Sequence, residues 1–227
     1  VSGWEWEGGT RGASGGCGAA SPLSGRLPIV RSCRSPRAWA VTLRGWDAEF
    51  GSVAVDPEAD RSRNVRVGRL MAALAAVETK NWVWFEDGLG YYNARLPQAL
   101  IASGLSTCAP ATVDAGLRTL RWLMTVQTTP DGLFRPVGSH SFGEIRKLPR
   151  AFDQQPLEAT ATIAACHSAW RADGNPDWKV DAARAFAWFM GSNDLSVPLA
   201  DPETGACRDG LHPDRANENR GGESTLS

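Results

Sequence analysis

The chain has 227 residues, 42% of them apolar, and a formal net charge of −1. A balance so near neutral gives no support for a polyanionic partner such as nucleic acid. No run approaches the roughly 18 apolar residues that a membrane span needs, so no membrane partner is expected. Five cysteines, at 17, 33, 108, 166 and 207, show neither CxxC pairing nor metal-ligand spacing. Cys108 and Cys166 read as small buried apolar residues. His140, His167 and His212 do not cluster, and neither a metal site nor a cofactor is expected.

Residues 1 to about 45 are rich in Gly, Ser, Arg and Ala and follow neither helical nor strand periodicity. Such a stretch buries too little apolar surface to offset its ordering entropy. Residues 10–44 carry six Arg and no acid, like a transit peptide, but no apolar leader region follows. The expected organisation is a low-complexity, disordered segment over 1–60 and a folded domain over 61–227, with a cytoplasmic location. The chain opens on Val1 and stops inside a helical pattern at 223–227, so a fragment of a longer protein is expected.

Helical spacing begins at residues 64–78, where Val65, Val67, Leu70, Met71, Leu74, Ala75 and Val77 recur on one face. An aromatic loop at 82–92 follows. Residues 93–103 predict a second helix, with Pro97 in its first turn and Gly104 ending it. A third helix is predicted over 112–127, closed by the turn Thr129-Pro130-Asp131-Gly132. A fourth spans 154–172, a fifth 177–190, and a last one starts near Glu223.

These helices repeat in pairs. Arg121-Trp122-Leu123-Met124 aligns with Ala187-Trp188-Phe189-Met190, and Ala99-Leu100-Ile101-Ala102 with Ala161-Thr162-Ile163-Ala164. A unit of about 60 residues with two helices each indicates stacked hairpins. Connections within a hairpin are short and those between hairpins long, so all the long loops share one rim. Loops longer than about 12–15 residues are functional or disordered.

That rim collects Glu86, Asp87, Asp153 and Asp209 as candidate catalytic carboxylates. Glycosidic cleavage needs two carboxyl groups about 5–9 Å apart, one of them held protonated by its surroundings. Around them stand Trp84, Tyr92, Asn93, Arg95, Gln154, Gln155, Glu158, His212, Asn217, Asn219 and Glu223 as candidate substrate-binding residues. Amides and Arg fix hydroxyl directions, and flat aromatic faces stack on sugar rings. Ten tryptophans against two tyrosines is unusual, although filling a helical core explains most of them. Structural readings stand beside the functional ones: Asp153 and Asn219 as helix N-caps, Glu158 and Glu223 as first-turn acids, His140 as a surface residue, His167 as packed beside Trp170, and 146–150 as a solvated basic loop.

At Glu86-Asp87, at Tyr92 through Leu100, at Phe152 through Ala159, at Asp209-Gly210-Leu211 and at Asn217 through Thr225, the chain resembles a bacterial helical domain of the six-hairpin glycosidase-like superfamily. Members are often glycosyltransferases or linked to them. The resemblance covers residues 80–227, with Arg220 and Gly222 departing from the pattern. It implies an all-α fold, a partial (α/α)6 toroid with an incomplete ring, and a carbohydrate ligand. It also implies a glycosyltransferase domain or neighbour as partner. Three functions remain open: an enzyme that cleaves or transfers a glycosidic linkage, a non-catalytic glycan-binding module, and a helical-repeat interaction domain.

Overall fold

The computed structural model describes residue 33, residues 35–50 and residues 57–227. Regular structure among them is helical: α1 (Pro36–Phe50), α2 (Pro57–Val77), α3 (Arg95–Ser106), α4 (Pro110–Val126), α5 (Pro156–Asp173), α6 (Asp177–Phe189) and the short α7 (Gly222–Thr225). The described residues contain no β-strand, only isolated bridges between loop residues. None of their helices is long and apolar enough to cross a membrane.

Four helices, α1, α2, α4 and α5, begin on proline. Proline suits a first helical position, because its fixed φ is helical and its missing N–H needs no partner there. That signal places the starts of α2 and α4 earlier than apolar spacing alone. Pro97 lies in the first turn of α3. Gly104 does not end that helix, which runs on to Ser106. A Cβ at Gly104 would lie 2.7 Å from Val113 Cγ2 and 2.8 Å from Val113 N, so the glycine serves the crossing with α4. Gly174, at φ 71°, closes α5 in the left-handed conformation that glycine accepts without strain.

Packing follows the predicted pairs. α3 lies along α4, and α5 along α6. α1 pairs with α2, and α1, α3 and α5 contact one another in series. Leu100, Ile101, Leu120, Leu123, Ala165 and Trp188 are buried between these helices.

α1 corrects the expectation of disorder over 1–60. Its Ala40 and Leu43 are buried, and it packs on α2 and α3. Its sequence is amphipathic, and burying the apolar face against α2 and α3 supplies most of its stability. For residues 1–32, 34 and 51–56 the expectation lies outside the described residues. Two further expectations change. Cys108 is exposed, with φ 51°, in the turn between α3 and α4. His167 is exposed on α5, with its ring centroid 6.1 Å from that of Trp170.

The α3–α4 crossing is tight enough to reverse an ordinary preference. A Cβ at Gly116 would lie 2.7 Å from Ile101 Cγ1 and 2.9 Å from both Ile101 N and Pro97 O. In an open helix, Gly→Ala stabilises by about 1 kcal/mol. Gly116→Ala is expected instead to destabilise by roughly 1–3 kcal/mol through overpacking, read as a lower urea midpoint. A raised midpoint would contradict the close approach.

Candidate functional site

Three long connections, residues 78–94, 127–155 and 190–221, meet at one end of the helices. Asp87 and Arg146 join the first two through an ion pair of 2.9 Å and a backbone bond of 2.6 Å. Gln154 and Leu211 join the last two, each amide donating to the other's carbonyl at 2.9 Å. Tyr91 Oη reaches Glu223 Oε2 at 3.3 Å, tying the first loop to α7.

Loop 78–94 is seated by its aromatics. Trp84 is fully buried, 5.3 Å from Phe85 and 5.6 Å from Trp122 between ring centroids. Trp82 is buried too, and its Nε1 donates to Glu86 O at 2.7 Å. These rings serve the core, and Trp84 presents no face to a ligand. Tyr91 is exposed at 40%, and the half-buried Tyr92 ring lies under the Arg95 guanidinium, with Arg95 Nη2 donating to its hydroxyl at 2.7 Å. Arg95 Nη1 also donates to Gln98 Oε1 at 2.8 Å.

Beneath this loop sits Glu158, 1% exposed, in the first turn of α5. Its carboxylate accepts the Tyr92 amide, the Asn93 amide at 3.1 Å and Asn93 Nδ2 at 3.2 Å. Asn93 is itself fully buried, and its Oδ1 accepts Gly90 N at 3.0 Å and Arg37 Nη2 at 3.3 Å. Burial pushes the Glu158 carboxyl up to about 7, against the opposing pull of those donors and of the Arg37 charge. Asn93 and Glu158 therefore form the floor of the rim and do not reach a ligand.

Gln154 is a second structural strap. Trp188 Nε1 donates to its Oε1 at 2.7 Å, and its Nε2 donates to Asp194 Oδ2 at 2.6 Å. Asp194 is held in turn by Arg135. Both ends of the amide are thus satisfied. Gln155 stands half-buried at the N-cap of α5, with no side-chain capping bond.

The four candidate carboxylates divide into two kinds. Glu86 is paired with Arg37 of α1, and Asp87 with Arg146. Neither Asp153 nor Asp209 has an arginine ion pair among the described residues. Asp209 Oδ1 accepts the Gly221 amide at 2.7 Å. Asp153 lies between two imidazoles: His212 Nδ1 is 3.1 Å from Oδ1 and His140 Nε2 is 3.7 Å from Oδ2. Asp153 Oδ1 is enclosed yet has no aligned hydrogen-bond donor. The capping roles fail, because the N-caps of α5 and α7 are Gln155 and Gly221. Asn219 is exposed and Asn217 half-buried, Asn217 Oδ1 accepting Asn219 N at 3.0 Å.

The antiparallel Gln154–Leu211 pairing sets Asp153 opposite His212, with Asp209 two residues before Leu211 on the same loop. Arg37, His140 and Asp194 were not among the expected site residues. Only His140 had a signal, its place in the long loop. Arg37 lies in α1, within the segment expected to be disordered, and nothing local marks Asp194. Among the described residues no three His, Cys, Asp or Glu side chains form a group that could hold a metal ion. No protein-family model matches the chain, and no curated protein matches it significantly.

Glu158 makes stability depend on pH. Its folded carboxyl binds a proton more tightly than the ordinary value of 4.5 allows, so the folded state loses ground as pH rises from about 4.5 to about 7 and levels off above. The gap between 4.5 and about 7 corresponds to a loss of up to roughly 3 kcal/mol. Urea unfolding at pH 5 and pH 8 is expected to show that fall in wild type and its absence in Glu158→Gln. An equal fall in both would place the effect elsewhere.

Proposed function

We propose that the chain is part of an (α/α) toroid whose loop rim binds a glycan and cleaves or transfers a glycosidic linkage, with Asp153 and Asp209 supplying the acid–base chemistry. The observation that carries this reading is the meeting of three long loops at the rim that holds Asp153 and Asp209, two carboxylates without an arginine ion pair among the described residues. Serial contact of α1, α3 and α5, each with a partner helix behind it, supports the toroid. The resemblance of residues 80–227 to six-hairpin glycosidase-like domains supports the ligand class. Tyr91 and the Tyr92–Arg95 pair offer a stacking surface on the same rim, and Asn217 and Asn219 offer amides to hydroxyl groups.

Glycosidic cleavage requires a proton for the leaving oxygen and a base or nucleophile across the bond. Glu86 and Asp87, each engaged by an arginine, hold the loops around that chemistry. The test is a panel of aryl glycosides and oligosaccharides, followed for release of product and, by calorimetry, for binding. Asp153→Asn and Asp209→Asn are each expected to lower kcat/KM by roughly 10²–10⁴-fold while binding persists. Unchanged turnover in either variant removes that residue from the chemistry, and a wild-type chain that neither binds nor cleaves any member loses the glycan reading.

A further inference from the structure

His212 stands at the same rim on a backbone that leaves it little freedom. Leu211 is clamped to Gln154 by two bonds of 2.9 Å, Asn217 N donates to Gly210 O at 2.8 Å, and His212 N donates to Arg215 O at 2.9 Å. A Cβ at Gly210 would lie 2.2 Å from Gln154 O, so the two segments touch without a side chain between them. On the other side, Ser139 N donates to Asp153 O at 2.9 Å, which fixes the loop that carries His140.

We propose that His212 is the proton carrier of the rim, with Nδ1 held by Asp153 and Nε2 exchanging a proton with the ligand or with water. This rests on the rim being the reactive face proposed above, and it refines the part of Asp153 there: its share of the acid–base chemistry runs through the imidazole it positions. Nδ1 and Oδ1 stand 3.1 Å apart, within hydrogen-bond reach, with the N–H not yet aimed along that line. An enclosed carboxylate oxygen without a donor is costly, and a turn of the imidazole brings its N–H into line to supply one. The bond made at Nδ1 decides which nitrogen is bare. With Nδ1 toward Asp153, Nε2 on the far side of the ring carries the lone pair.

The step is a proton transfer: an O–H bond breaks, its electrons stay on oxygen, and the proton binds Nε2. The imidazolium formed lies beside the Asp153 carboxylate, which stabilises it. His140 Nε2, 3.7 Å from Asp153 Oδ2, faces the same carboxylate from loop 127–155. The negative charge between the two rings disfavours an anionic ligand at this point and suits a neutral hydroxyl.

Nitrogen-15 labelling of the histidines reads the tautomer directly at pH 8. His212 is expected as Nδ1–H with Nε2 bare in wild type and in His140→Ala, and to shift toward Nε2–H in Asp153→Ala. A wild-type His212 protonated on Nε2, or a tautomer unmoved by Asp153→Ala, overturns the proposal whether or not a glycan is turned over. On any glycan that the wild type cleaves, His212→Ala is expected to lower kcat roughly 100-fold or more with little change in binding, and undiminished kcat overturns the proposal. A chain that shows the tautomer response but cleaves no glycan keeps the Asp153–His212 pair and loses the glycan reading.

Discussion

The Glu158 carboxylate is enclosed at the start of α5, where no water can solvate it. A buried carboxylate must find donors or stay protonated, and the donors it finds are the amides of Tyr92 and Asn93 and the Asn93 side chain. This requirement draws residues 90–93 down onto α5 and sets where the first long loop can lie. Arg37 then reaches Glu86 and Asn93 from α1, so the same anchor gathers a third segment. Remove the carboxylate, and the rim's floor has nothing to which its amides can bond.

A second polar strap plays the same part on the far side. Trp188, Gln154, Asp194 and Arg135 form a chain of hydrogen bonds from the core of α6 to the loop after α4. Networks of this kind are costly when half made and rigid when complete. Its members are satisfied by one another, so residues 152–155 and 210–212 are held in register while Asp153 and His212 stay near solvent. The polar residues of the rim therefore divide into those that build it and those that face outward. The first group bonds inward: Asn93, Gln154 and Glu158. The second is Tyr91, Asp153, Asp209, His212 and Glu223.

That division bears on the proposed chemistry. Amide and carboxylate groups already satisfied inside the fold cannot also orient a sugar hydroxyl, so the ligand-facing set is smaller than the acids and amides of the loops would imply. Asp153 has one oxygen without an aligned donor and two imidazoles beside it. An unsatisfied group near the surface of an otherwise well-bonded frame is where local rules give way to function.

Much of this was legible in the order of residues. Apolar spacing located α3 to α6 within a few positions and the C-terminal two-thirds of α2, because a helix must repeat its buried face every 3.6 residues. The alternation of short and long connections placed the loops at a common end, because successive packed helices reverse direction. Other features required the fold. α1 carries an amphipathic face, but the Gly-, Ser- and Arg-rich sequence around it masks that pattern, so neither it nor Arg37 stands out as part of the fold. Trp84 and Tyr91 occupy one aromatic loop, yet one is fully buried and the other exposed. Asp153 and His212 are 59 positions apart, and only the Gln154–Leu211 pairing brings them within 3.1 Å. Composition and periodicity report the surface a segment must bury; which polar groups meet across that surface depends on contacts between segments distant in the chain.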